Sequence, residues 1–499
     1  MRRVNVMLDN IDDSEMSDSD KAHWRSVGYF FRSYYYYDLL TYFGDLPWVE
    51  HSLQTSDKEF IYGKRLDRNV VADSIFNDLL WAEKKINKNG SGPNTINTDV
   101  VRALISRIGL FEGTYRKYHN LGSGETFLQE SKRVSEILVN KYPNLMTNYY
   151  DEFVSEDLVG RPGMLLVAEY NAYMGHGRPR IEATSSHYVE MCGDAFDSYL
   201  CQDGQTIENS SIYSGDAHIY DMFRNRDYRL YFTVCPPFQV KKDNPQSREW
   251  EYTANAFERE YIDLMDSISG DAKTLPMMNW NDFVVFGMPH FRSDNRGQPY
   301  CAVRAGYYFW KFYTKDRNQN FNGLSLQTTD RALFRMSEVM LNLAEASYEL
   351  DASISQEMAD KTINKLRDRG HVSHLEVNSI TPDNSSRRDT EVSDLLWEIR
   401  RERRVELMGE NYRFYDLRRW KKGHYINKEQ TGCKITDTEV PFHKGVSVNS
   451  DGYACYFGDP LAKGLGWEDF MYLEPIPIQE LELNKEIIQN DEWAEFVPK

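Results

Sequence analysis

Apolar residues recur three and four positions apart over long stretches at both ends of the chain, and that spacing predicts helices. Ser17 and Asp20 make a capping box. The helix that follows carries Trp24, Val27, Phe31, Tyr34 and Tyr35 on one side, and core packing is the first reading of the run Tyr34–Tyr37. Gly44 and Pro47 stop it. A second helix is expected from about Arg68 to Ile86, with Val71, Ile75, Leu79, Ala82 and Ile86 in register. Asn89–Asn94 is a turn. A third helix, about Asp99 to Tyr118, aligns Val101, Leu104, Ile105, Ile108, Phe111 and Tyr115, and a partner covers about Thr126 to Asn140. Ala103 and Gly109 are small residues of the kind that let paired helices approach closely, as in tetratricopeptide repeats. The pairs recur without a strict period, which predicts a divergent array of helical hairpins.

The pattern breaks from about residue 144 to 327, where turn formers and aromatics dominate. Leu165–Tyr170 reads as a short strand, Asn225–Arg229 as a turn held by Asp227 and the arginines, and Gly306–Tyr313 as a strand buried on both faces with Trp310 in the core. Helical order returns at Thr329–Leu350, with Leu333, Met336, Met340 and Leu343 in register. In Arg400–Trp420, Ile399, Val405 and Met408 mark an apolar side, and Glu398/Arg401 and Arg403/Glu406 pair on the flank. Gly409 suits a helix end, and a second short helix carries Tyr412, Tyr415, Leu417 and Trp420. An Arg/Glu lattice beside aromatics locks helices together through planar guanidinium forks. Its local excess of positive charge is too small to favour a phosphate site. The chain therefore divides into a helical scaffold (1–143 and 328–420), an irregular lobe (144–327) and a loop-rich cap (421–499).

Composition narrows the function. A net charge of −18 argues against nucleic acid or an anionic membrane surface as a general partner. The six cysteines form no Cys-x-x-Cys pair and no Cys/His cluster of zinc spacing, so neither metal nor cofactor is expected. Cys192 with Cys201, and Cys433 with Cys455, could form disulfides, but spacing does not decide it and free buried thiols fit at least as well. No run of about 18 apolar residues suits a membrane span. Met1–Leu8 is too short for a signal peptide's apolar region. No nucleophile elbow, zinc-protease or phosphate-loop pattern occurs, and His176 in its Gly-rich loop reads as solvated. Among 77 Asp and Glu residues a glycosidase pair stays open, because its separation in space does not follow from spacing along the chain.

The 33 Tyr and 10 Trp residues offer an apolar face with a polar tip, which suits both packed helix pairs and ligands with an apolar face and a polar rim. A sugar ring is such a ligand. Trp250, Trp280 and Tyr300 sit in irregular segments beside Asn281, Arg292, Asp294 and Arg296, and as a group they are the candidate ligand site. For any one of them, plain packing is the alternative.

Several segments also resemble one family in one order: Phe31–Leu39 through Gly44-Asp45-Leu46-Pro47, Asn225-Arg226-Asp227 through Leu230, Phe334–Ala346, Ile363–Gly370, Arg400–Trp420, and Pro475-Ile476-Pro477 through Gln489-Asn490. They are similar to the SusD/RagB family of nutrient-binding outer-membrane lipoproteins of Bacteroidetes. The resemblance implies a mainly α, tetratricopeptide-like superhelix supporting a loop-rich lobe with few short strands. It implies a cell-surface protein that binds an oligosaccharide or polysaccharide and delivers it to a SusC-like TonB-dependent transporter, without catalysis. Family members begin with a lipoprotein signal and an acylated cysteine, so membrane association is expected only through a lipid anchor not present in this sequence. A glycoside-acting enzyme and a peptide-binding helical scaffold are the alternatives, and the Tyr- and Arg-rich helix faces also suit a transporter contact.

Overall fold

The structure is a computed structural model. It describes residues 1–171, 173–175, 190–241, 251–252, 254–270, 284–286, 306–313, 328–435, 447–455, 460 and 464–496. Numbering only the elements used below, the scaffold begins with α1 (Arg2–Asn10), α2 (Asp18–Phe43), α3 (Arg68–Lys85), α4 (Thr98–His119) and α5 (Glu125–Lys141). Side chains of Ser17, Asp67 and Asn97 cap the starts of α2, α3 and α4. Ser17 Oγ accepts from Asp20 N at 3.2 Å, and Asn97 Oδ1 accepts from the first-turn amides of Asp99 and Val100 at 2.9 and 3.1 Å. Gly44, at φ 71°, ends α2.

α2 packs on α3, α3 on α4 and α4 on α5. The α4/α5 seam is close because it is built of small residues. A Cβ on Gly109 would stand 2.6 Å from the Phe127 carbonyl, and Ser106 and Ser135 hydroxyls meet at 2.7 Å. Val71, Ile75, Leu79, Leu104, Ile105, Val134 and Leu138 are fully buried in this core. Each such aliphatic side chain contributes roughly 1.5–3 kcal/mol of burial.

The irregular segment crosses over and returns through β1 (Met164–Ala168), antiparallel to β2 (Arg331–Arg335). α8 (Met336–Asp351) follows β2 directly and closes the scaffold against α4 and α5. Between these strands lie α6 (Tyr228–Thr233) and α7 (Ala256–Ser269); after α8 come α9 (Ile363–Gly370), α10 (Asp394–Glu406) and α11 (Tyr412–Arg419). Two further small sheets join Gln239–Lys241 to Glu251–Tyr252 and Val284–Phe286, and Tyr453–Cys455 to Thr431–Lys434 and Ser447–Val448. The molecule is mainly helical with few short strands, as the sequence predicts.

Three expectations need correction. The helix read from Thr329 begins only at Met336, because β1 takes the backbone hydrogen bonds of 331–335; Leu333 is 45% exposed. In the Tyr34–Tyr37 run, Tyr36 and Tyr37 are buried but Tyr34 and Tyr35 face solvent, with Trp24 and Phe31. Four consecutive residues sweep all round a helix of 3.6 residues per turn, so they cannot share one face. Tyr307–Tyr313 is buried as expected, yet among the described residues it pairs through isolated bridges, Tyr308 with Glu190 and Phe309 with Val234. The chain turns there, Tyr313 N donating to Trp310 O at 2.9 Å.

A second, aromatic core gathers Tyr149, Phe196, Tyr231, Tyr261, Tyr307 and Trp310 from the middle of the chain. Val405 at the end of α10 belongs to it, whereas Leu407 belongs to the scaffold core. The end of α10 thus runs between the two. Cys192, Cys201, Cys433 and Cys455 are free thiols, so neither candidate disulfide is formed. Among the described residues no helix is long and apolar enough to cross a membrane.

Candidate functional site

The stretch 394–420 positions everything around it. Ser393 caps α10, with Oγ accepting from Leu396 N at 3.3 Å. After Glu406 the chain reverses through Gly409, at φ 75°, and Asn411, at φ 71°, into α11. Gly409 is required twice, because a Cβ there would also overlap the Phe309 ring.

A buried Arg/Glu lattice is present and Glu398 pairs with Arg401 at 3.0 Å as expected, but the expected Arg403/Glu406 pair is replaced: Arg403 turns to Asp416 at 2.9 Å, and Glu406 takes arginines from other elements. Arg335 from the end of β2 donates to Glu406 at 2.6 Å, to Glu410 at 2.7 Å and to Glu152 at 3.2 Å. Arg369 from α9 bridges Glu152 and Glu406 at 2.5 and 2.6 Å. Arg229 from α6 reaches Glu402 at 2.6 Å and Glu406 at 3.0 Å, while Asp227 caps its helix and also accepts from it. The Asn225–Arg229 turn is therefore held by Asp227 and an arginine, as expected, and the arginine ties α6 to α10. Burial opposes ionisation of Glu406, but Arg369, Arg335 and Arg229 hold its carboxyl well below the usual range. Burial, partly offset by Glu410, brings the Lys311 ammonium down to about 8.

Beside this lattice, α2, α4, α11 and β2 enclose a cavity of about 290 Å³. Exposed Tyr34, Asp38, Leu333 and Asn411 stand at its mouth; Tyr37, Phe111 and Arg419 form its buried floor. Tyr37 and Tyr415 lie with ring centroids 6.4 Å apart and planes 21° from parallel. Tyr412 OH accepts from Arg107 at 2.8 Å and donates to Glu338 at 2.9 Å. Tyr415 OH donates to Asp38 at 3.2 Å. Aromatic faces with fixed hydroxyl, amide and carboxylate groups at their edge suit a ring that is apolar on its face and hydroxylated at its rim. Sequence reasoning missed this cavity. Its residues come from elements far apart in sequence, and the spacing that places Tyr34 in the core does not show that it faces solvent.

The residues the sequence singles out as a ligand site, Trp250, Trp280, Asn281, Arg292, Asp294 and Tyr300, with Arg296, lie outside the described residues. Trp310 is fully buried, with Nε1 donating to Tyr231 O at 3.0 Å, in agreement with its placement in the core. Among the described residues no group of His, Cys, Asp and Glu is arranged to hold a metal ion.

Comparison with known proteins agrees with the architecture. The model of a family described as the SusD family matches residues 171–493. The chain belongs to the SusD family. A second model, described as starch-binding and associating with the outer membrane, matches residues 1–110 of this SusD-family chain. SusD-like protein P2 of Formosa agariphila is 22% identical over 401 residues, 80% of this chain and 65% of its own length. The chain thus spans somewhat less than two thirds of that relative. Among solved structures, a SusD-like carbohydrate-binding protein of Bacteroides fragilis superposes with a TM-score of 0.67 at 17% identity, covering 97% of this chain and 83% of the other. A laminarin-binding SusD-like protein gives 0.53 at 17% identity, covering 98% and 83%. These likenesses establish a shared fold.

Proposed function

We propose that this chain captures glycans at the outer membrane and passes them to a TonB-dependent transporter without cutting them. The observation that carries the reading is the tyrosine-walled cavity, open to solvent between α2, α11 and β2. Family membership, the outer-membrane association in the description of the matching family, and a laminarin-binding protein of the same fold support it.

Two of the four carboxylates that line the cavity, Glu410 and Glu152, support a non-catalytic role. A general acid must hold a proton to give. Burial opposes it, but Arg335 and Lys311 hold Glu410 below its ordinary range. Burial pushes Glu152 up, yet both its oxygens already accept from Arg335 and Arg369. Trp250, Trp280, Asn281, Arg292, Asp294 and Tyr300 are proposed as further contacts on the lobe.

Each stacked ring is worth about 0.5–1.5 kcal/mol beyond area burial, so a shallow site binds in the micromolar to millimolar range. Tyr34→Ala removes an exposed ring and leaves the core intact. Its affinity for laminarin or soluble starch is expected to fall about two- to tenfold, in line with one lost stacking contact. Unchanged affinity in Tyr34→Ala, with a loss in Trp280→Ala, would move the site away from this cavity.

A further inference from the structure

A second cavity, of about 280 Å³, opens on the other flank of α10, between the 383–389 loop, α11 and the His424–Lys428 segment. Seven cationic side chains line it against three carboxylates. Most of these cations are already neutralised. Asp194 accepts from Arg404 at 2.6 Å and also pairs with Lys428. Asp383 accepts from Arg401 at 2.7 Å. Arg387 reaches Glu208 at 2.6 Å, and Arg388 reaches Asp394 at 3.0 Å. Arg400 holds Glu349 at 3.3 Å but leaves its buried Nε without a hydrogen-bond acceptor.

Arg413 is different. Among the described residues it makes no hydrogen bond and no ion pair; its guanidinium carbon lies 5.6 Å from the Trp420 ring centroid. A guanidinium carries five donors in a planar fork, and half-buried Arg413 adds its fork to the cavity wall with no carboxylate among the described residues to hold it. Every other cation of the wall has an oxygen partner. The chain as a whole is strongly acidic, so this local excess of cations, seven against three carboxylates, is not a general surface property.

We propose that this cavity binds a compact oxyanion, a carboxylate or sulfate group, on the fork of Arg413. Burial, with Arg404 close by, already lowers the Arg413 guanidinium to about 10, and a bound anion would relieve that strain. The Trp397 and Tyr425 rings, edge to face at 6.4 Å in the wall, leave an apolar surface next to the charge. An acidic sugar such as a uronic acid carries both features, and free sulfate carries the charge alone. The inference does not depend on the glycan reading above, because sulfate tests it by itself.

The test is titration calorimetry of the full chain at constant ionic strength, with sodium sulfate, with sodium glucuronate, and with glucose as the neutral control. At least one of the two anions is expected to bind, and glucose is not expected to bind in competition with it. Arg413→Gln should weaken the anion at least tenfold, and Arg413→Lys, which keeps the charge but loses the fork, by less. A structural arginine would lower the melting temperature when replaced; Arg413→Gln should leave it unchanged or raise it. Tighter binding of glucuronate identifies an acidic sugar as the occupant, and tighter or equal binding of sulfate a tetrahedral anion. Absence of binding by both anions, equal binding to Arg413→Gln, or a lowered melting temperature in that variant would overturn the proposal.

Discussion

Arg335 Nη1 stands 2.6 Å from Glu406 Oε1, joining the strand that enters the scaffold to the helix end that separates the two cores. Glu406 also accepts from Arg369 and Arg229, and all four side chains are buried. A buried pair adds little net stability against an apolar substitute, but removing one member leaves the other charged and unpaired. Glu406→Gln is therefore expected to cost about 3–5 kcal/mol, since it strands guanidiniums away from water. Urea unfolding followed by circular dichroism measures it. A loss below about 1 kcal/mol, the size of an exposed pair, would show that water enters the lattice.

Gly409 links α10 to α11 with a positive φ and with no room for a Cβ beside Phe309. Gly409→Ala combines backbone strain with overpacking, so a destabilisation of about 2 kcal/mol or more is expected. The same unfolding measurement checks it, with Gly122→Ala as a reference: Gly122 also has positive φ but nothing near its Cβ position.

His119 sits at the end of α4, its ring 3.9 Å from that of Tyr115 and nearly parallel to it, with Nε2 2.8 Å from Arg418 O. Burial lowers its pKa to about 4, despite the carbonyl that favours the charged form. Its folded pKa lies below the unfolded value of 6.5, so the unfolded chain binds the extra proton between those limits. Its contribution is present above pH 6.5 and is lost as pH falls towards 4. His119→Gln should flatten the loss of unfolding free energy in that window; an unchanged slope would remove His119 from the account.

The helices were legible because their signals are local. Ser17, Asn97 and Ser393 cap, Gly44 and Gly409 stop, and the registers of 68–86 and 99–118 return within a residue or two. The errors arose where partners distant in sequence decided the outcome. β1 claims the backbone of 331–335 across more than 160 residues, and no spacing near Leu333 records that. The tyrosine-walled cavity was illegible for the same reason: Tyr34, Tyr412 and Leu333 come together only through the packing of α2, α11 and β2. Nothing in the spacing of Arg400–Trp420 marks Arg413 apart from its neighbours; its lack of a carboxylate partner among the described residues is a fact of geometry alone.

The most direct test of the central claim is affinity electrophoresis of the purified chain through gels containing laminarin or soluble starch, with reducing-end release assayed in the same samples. Glycan capture without catalysis predicts retardation by at least one polysaccharide, reduced in Tyr34→Ala, and no new reducing ends. Release of reducing ends, or migration unaffected by any polysaccharide, would contradict it.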